Sequence, residues 1–111
     1  WVAFGEAGGA DAWRVVYLHL FDIGLTGDVP AALGELTALT NLNLGRNHLT
    51  GDVPAALGKL TALTHLDLSE NELTGDVPAE LGKLTALKTL WLYKNMLTSI
   101  PAALGGLTAL T

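Results

Sequence analysis

At 111 residues with half of them apolar, the chain is the size of one domain and has enough Leu, Val and Ala for a continuous core. A net charge of −5, with its six Lys and Arg scattered, argues against nucleic acid or an anionic membrane surface as partner, since both need clustered positive charge. The absence of cysteine removes a disulfide framework and thiolate metal sites, and polar residues interrupt the leucines too often for a membrane span.

The chain opens on residues 1–14, WVAFGEAGGADAWR, which read as an N-terminal cap or its remnant. Trp1, Phe4 and Trp13 are expected to cover the apolar end of the segment that starts at residue 15, as the terminal unit of a stacked array requires. No signal peptide or basic patch is visible, and the missing initiator Met suggests a fragment or a processed chain.

From residue 15 to 111 the sequence repeats itself. The units are 15–35, VVYLHLFDIGLTGDVPAALGE; 36–59, LTALTNLNLGRNHLTGDVPAALGK; 60–83, LTALTHLDLSENELTGDVPAELGK; and 84–106, LTALKTLWLYKNMLTSIPAALGG. Residues 107–111, LTALT, begin a further unit, and the period is 24 with one residue dropped in the last full copy. One such unit cannot fold alone. Its buried leucines contribute roughly 1.5–3 kcal/mol each, whereas ordering its backbone costs about 1–2 kcal/mol per residue. Stacking on neighbours is the condition for folding, which predicts a solenoid.

Within each unit, LxxLxLxxNxL alternates apolar and polar residues and predicts a short strand with one buried face. Strands centred on Leu18, Leu42, Leu66 and Leu90 should pair in parallel, so each unit needs a return. In TGDVPAALGK, Gly51 allows a tight turn, Val53 packs inward, Pro54 starts a short helical turn and Gly58 is placed to end it. Asn47, Asn71 and Asn95 recur at one register, where an amide that both donates and accepts would satisfy backbone groups leaving the strand. Ile23 breaks that series in the first unit.

The motif LxxLxLxxNxLxGxIP followed by xxLGxL resembles the plant-type leucine-rich repeats of receptor kinases, receptor-like proteins and polygalacturonase inhibitors, and the repeats of algal Roco-type GTPases. Here Val29, Val53 and Val77 stand where that family most often has Ile. The resemblance covers residues 15–111 and implies an α/β solenoid: a right-handed coil with a parallel concave β-sheet, short helical or 3-10 returns, and often short strands at the GxIP segment. It also implies a protein or peptide partner on the concave face. The chain departs from extracellular members in having neither cysteine nor an Asn-x-Ser/Thr sequon, which leans towards an intracellular setting while the resemblance allows an extracellular one.

Comparing residues 36–59 with 60–83 shows where the frame drifts: Asn41 becomes His65, Asn43 Asp67, Gly45 Ser69, Arg46 Glu70, His48 Glu72 and Ala56 Glu80. Most of these changes lie on or just after the strand, as expected of a binding surface carried by a fixed scaffold. The outward positions form four columns: Tyr17, Asn41, His65, Thr89; His19, Asn43, Asp67, Trp91; Phe21, Gly45, Ser69, Tyr93; and Asp22, Arg46, Glu70, Lys94. Partner contacts are expected from Tyr17, His19, Phe21, Asn41, Asn43, Arg46, His65, Asp67, Glu70, Trp91, Tyr93 and Lys94, with Trp91 and Tyr93 as an aromatic anchor. A freely varying solvent face, with aromatic pairs that stabilise the sheet, is the plainer alternative. The last column alternates in sign and reads as a screened surface ladder.

Catalysis has no foothold. Ser69 and Ser99, the only serines, lie in different halves of their units, and no phosphate-cradling glycine motif occurs. His19 and His65 are two strands apart, too far to share a metal. The row Asp28, Asp52, Asp76 does not converge as a Ca²⁺ site must, and an aspartate after a turn glycine usually caps backbone N–H groups; His48 reads as a solvated turn residue. No cofactor and no metal are therefore expected. Beside the recognition module stand two other readings: a structural or consensus-designed stacking unit, and the sensing arm of a kinase or GTPase. Ending at Thr111 with Leu107 and Leu110 uncapped, the array is also expected to fray over residues 99–111 or to associate end to end.

Overall fold

The computed structural model describes residues 2–6 and 13–110, with side chains from residue 15 onwards. The covering role expected of Trp1, Phe4 and Trp13 concerns side chains outside the described residues.

Each unit contributes one strand to a principal sheet. β1 (Val2–Glu6) is followed by β2 (Trp13–His19), β4 (Asn41–Asn43), β6 (His65–Asp67) and β8 (Thr89–Trp91), in the spatial order β1-β2-β4-β6-β8. The four repeat strands are parallel and strictly in register, Leu18, Leu42, Leu66 and Leu90 lying side by side. β1 runs antiparallel to β2 and takes up its outer edge. β2 begins at Trp13, so the strand straddles the 14/15 boundary drawn from the repeat pattern.

The return contains more strand than the turn residues announce. β3 (Thr26–Asp28) pairs with β5 (His48–Thr50), and β7 (Thr74–Asp76) with β9 (Met96–Ser99), both parallel, with an isolated bridge from Asp52 to Thr74 between them. His48, expected in a turn, is a strand residue, and Asp28 and Asp76 are strand residues as well. The carboxylates reach across to the next unit: a Cβ on Gly51 would lie 2.6 Å from Asp28 Oδ1, and one on Gly75 would meet Asp52 in the same way. Gly51 and Gly75, at φ 76° and 75°, are needed for conformation and for space alike.

Short 3-10 helices complete each turn of the coil: η1 (Ala31–Glu35), η2 (Ala55–Lys59), η3 (Ala79–Lys83) and η4 (Ala102–Gly106). A proline precedes every one in an extended conformation, Pro54 at φ −72° for example. The glycine expected to end the helix does something else. Gly58 lies inside η2, and a Cβ there would be 2.6 Å from the Glu80 carbonyl oxygen; Gly34 and Gly82 stand in the same relation to Ala56 and Ala103. These glycines let successive helices touch backbone to backbone. The helix actually closes where Leu60 N–H bonds the Leu57 carbonyl.

The core is a continuous column of leucine. Leu39, Leu42, Leu57, Leu60, Leu63, Leu66, Leu68, Leu73, Leu81, Leu84 and Leu87 are fully buried, and Val29, Val53 and Val77 close it from the return side. Beside it runs the asparagine ladder. Asn71 Oδ1 accepts the Leu49 N–H, while its Nδ2 donates to Leu44, Leu68 and Ser69 carbonyls; Asn47 and Asn95 repeat the pattern one unit away on each side. Each amide thus serves its own turn and the turn of the preceding unit, where the backbone would otherwise be left unpaired. Ile23 is where the first unit departs from this ladder, and the strand beside β2 on that side is the antiparallel β1.

Candidate functional site

The alternation of the principal strands turns Leu18, Leu42 and Leu66 inward and sets their neighbours on the opposite face of the sheet. Two of the four expected columns become true cross-strand rows there: Tyr17, Asn41, His65, Thr89, and His19, Asn43, Asp67, Trp91. The third, Phe21, Gly45, Ser69, Tyr93, lies just beyond the strand ends, where main-chain bonds such as Arg46 N–H to the Ser69 carbonyl extend the ladder.

The fourth column is displaced from the face. Asp22, Arg46, Glu70 and Lys94 all have φ between 53° and 55°, so the chain is left-handed at the point where it leaves the sheet. A side chain in that conformation costs roughly 1–2 kcal/mol. Each of these N–H groups except that of Lys94 is held by a carbonyl of the following unit, which offsets the cost. Arg46, Glu70 and Lys94 form a rim in which Glu70 Oε2 lies 4.0 Å from Arg46 Nε and 3.8 Å from Lys94 Nζ. Arg46 and Lys94 are largely solvated, Glu70 is half-buried, and the pairs are long and weak. His48 and Glu72 make a similar exposed contact at 3.6 Å.

Not every outward residue is exposed. Ser69 is fully buried and Asp67 is only 7% exposed, against the expectation of a solvent-facing pair. Asp67 Oδ1 accepts from both the Ser69 N–H (2.9 Å) and the Ser69 hydroxyl (2.6 Å), and Asn43 Oδ1 accepts the Gly45 N–H at 2.9 Å. With Asn43 Oδ1 committed to that bond, its Nδ2 is the atom that meets His19 Nε2 at 2.7 Å. Nε2 is then the acceptor, which places the proton of neutral His19 on Nδ1. The clue available in the sequence was an Asx residue followed two positions later by a small residue, the spacing of a side-chain-closed turn.

Aromatic residues stand at both ends of this polar floor. On the first unit Tyr17, His19 and Phe21 form a run with centroid separations of 5.6 and 6.5 Å. On the fourth, Trp91 and Tyr93 meet edge to face at 6.5 Å, each about half exposed at 51% and 52%. Phe21 and the Asp67 carboxylate both close on Gly45, each 3.1 Å from where a Cβ would be, so a larger residue there would require these side chains to give by a few tenths of an ångström. Between the aromatic ends lies a trough of about 280 Å³ lined by Tyr17, His19, Asn43, His65, Asp67 and Trp91 among others. The expected site residues thus divide into a trough, two aromatic ends and a charged rim.

Among the described residues no group of His, Asp or Glu is placed to hold a metal, and no helix is long and apolar enough to cross a membrane. In the aspartate row, Asp76 Oδ1 accepts the Thr98 hydroxyl at 2.8 Å. Hydrogen bonds from Thr98 and then Ser99 lower its pKa below the usual 3.8, against a small opposing effect of burial.

Fold and face together define a class: a solenoid repeat module that displays a polar and aromatic surface on a hydrogen-bonded frame. Models of leucine-rich repeats match residues 14–73 and, as two copies, residues 61–104. The chain belongs to the leucine-rich repeat family. No curated protein sequence matches it. Among solved structures it is similar to the BIR3–SERK2 complex from Arabidopsis thaliana, with TM-score 0.84 and 32% identity over 96% of this chain and 56% of that one. It is also similar to the Arabidopsis receptor kinase HAESA in complex with the peptide hormone IDA and the co-receptor SERK1, with TM-score 0.77 and 37% identity over 85% of this chain and 16% of that one. A plant ice-binding protein is similar at TM-score 0.78 and 39% identity, over 82% of this chain and 30% of that one. The chain therefore spans about half the length of the first of these, and less of the others.

Proposed function

We propose that this chain is a recognition module, without enzymatic activity, that binds a protein or peptide on the sheet face. The observation that carries the reading is the exposure of Trp91 and Tyr93 beside a preorganised polar trough. Large aromatics half open to water on a rigid sheet supply apolar contact area with little conformational entropy to lose, and such residues dominate binding hot spots. Tyr17, His19 and Phe21 would form the second anchor, with Asn41, Asn43, His65 and Asp67 between the two and Arg46, Glu70 and Lys94 guarding the rim. The similar structures lend support, since BIR3 is there in complex with SERK2 and HAESA with a peptide hormone and a co-receptor.

The test uses linear peptides selected from a displayed random library on the folded chain. Replacing Trp91 and Tyr93 together with Ala should weaken the selected peptides by more than about 2 kcal/mol while the melting temperature holds. Glu80→Ala, on η3 at the return, should leave affinity unchanged. Unaltered binding by the double variant would remove the assignment.

A second reading is favoured by one observation. Thr26, Thr50, Thr74 and Thr98 are exposed, one per unit, along the lateral strands, and one similar structure is an ice-binding protein. It ranks below the first because the exposed carboxylates of Asp28, Asp52 and Asp76 share that side of the coil and break the uncharged row. A measurable gap between freezing and melting points, abolished by Thr50→Lys, would reverse the ranking.

A further inference from the structure

Resting on the reading of the sheet face as the binding face, we propose that its trough selects a guanidinium group carried on an extended peptide. The Asp67 carboxylate would be the counter-charge and the Trp91 indole the stacking wall.

Asp67 is an unusual carboxylate for this chain. It is more than nine-tenths buried, yet no basic side chain of the described residues pairs with it. The nearby cations on the rim, Arg46 and Lys94, both turn to Glu70, and Lys59 pairs with Glu35 on the returns. The two hydrogen bonds that hold Asp67 in place, from the Ser69 N–H and hydroxyl, go to Oδ1. Oδ2 takes no part in that clamp, and the residue lines the trough. A buried carboxylate is costly until a charged donor meets it, so a cation arriving in the trough gains more than it would at the solvated rim.

The neighbours narrow the class of cation. Trp91 is the direct cross-strand partner of Asp67, so its backbone stands about 4.8 Å away along the sheet. A planar cation can stack on an indole and hydrogen-bond a carboxylate in its own plane, which an ammonium cannot do with equal economy of geometry. On the other side the Asn43 amide bonds Gly45 and His19 rather than the carboxylate. The net charge of −5 steers a cationic peptide towards the molecule as a whole.

The test titrates isotope-labelled protein with the capped pentapeptide Gly-Gly-Arg-Gly-Gly and with its citrulline counterpart, which keeps the planar shape and loses the charge. The Trp91 indole N–H and the Ser69 amide are the reporters. The arginine peptide should shift both saturably and bind at least about tenfold more tightly than the citrulline peptide. Asp67→Asn keeps an oxygen for the Ser69 donors and should make the two peptides bind alike. Should that variant fail to fold, raising salt from about 0.05 to 0.5 M with the unaltered chain replaces it, weakening the arginine peptide selectively. Equal binding of the two peptides, or tighter binding of a neutral glucose oligosaccharide at the same reporters, would overturn the proposal. If library-selected peptides depend on Trp91 and Tyr93 but carry no arginine, the binding face stands and the guanidinium claim alone falls. If they do not depend on that pair, the face itself falls.

Discussion

Gly58 and Gly105 hold the same place in the second and fourth copies of one unit, yet the first is pressed against the Glu80 backbone while the second has nothing within 4 Å. Leu66 and Leu90 make the same comparison on the sheet side: Leu66, flanked by strands on both sides, is fully buried, and Leu90, on the last strand of the sheet, is only partly so. The lesson is that a unit of this fold is completed by the one stacked after it. Identical sequence therefore has different energetic weight in the middle of the stack and at its end.

The largest consequence is in the core. Leu66→Ala should cost about 2–5 kcal/mol in chemical denaturation, the range for a sealed cavity. Leu90→Ala should cost clearly less, because the site is open and its loss is already shared with solvent. Equal losses would break the comparison at its strongest point.

The glycines sharpen it. Gly58→Ala must push a Cβ into the Glu80 carbonyl and should destabilise by about 1–3 kcal/mol. Gly105→Ala should be neutral or stabilising by up to about 1 kcal/mol, since its φ is not in the left-handed region and alanine lowers the entropy of the unfolded chain. If both substitutions are harmless, the stacked helices have more freedom than their contacts imply.

The smallest effect lies at the junction of the third and fourth units, where the last copy carries Thr98 and Ser99 in place of a Thr-Gly pair. Their hydroxyls lower the Asp76 pKa in the folded protein. The resulting stabilisation is fully present above the ordinary carboxyl pKa and is lost as pH falls through the lowered folded value. The stability difference between the unaltered chain and Thr98→Val should therefore be constant near neutrality and shrink in acid. A difference that grows in acid would contradict the assignment.

What could be read without the structure was whatever four copies repeated for the same local reason: the strand alternation, the proline before each helical turn and the asparagine register. What escaped depended on the neighbouring unit. The lateral strands were implied by the family resemblance but not by the residues alone: His48–Thr50 pairs with Thr26–Asp28, and its turn-like residues gave no alternation to detect. Gly58 looked like a helix stop because nothing local reveals the Glu80 carbonyl above it. Of the site, the cross-strand rows and the Trp91–Tyr93 pair followed from period two. The burial of Asp67 and Ser69 did not, because it arises from side chains folding over Gly45 and onto one another.

If the sheet face is where a partner binds, the side chains that line it report the contact directly. Cross-saturation from a library-selected peptide should reach the Trp91 indole, the Tyr93 ring and the Asn41 amide, and leave Ala55, Ala56 and Ala79 on the 3-10 helices untouched. Saturation concentrated on those alanines, with Trp91 and Tyr93 silent, would contradict it.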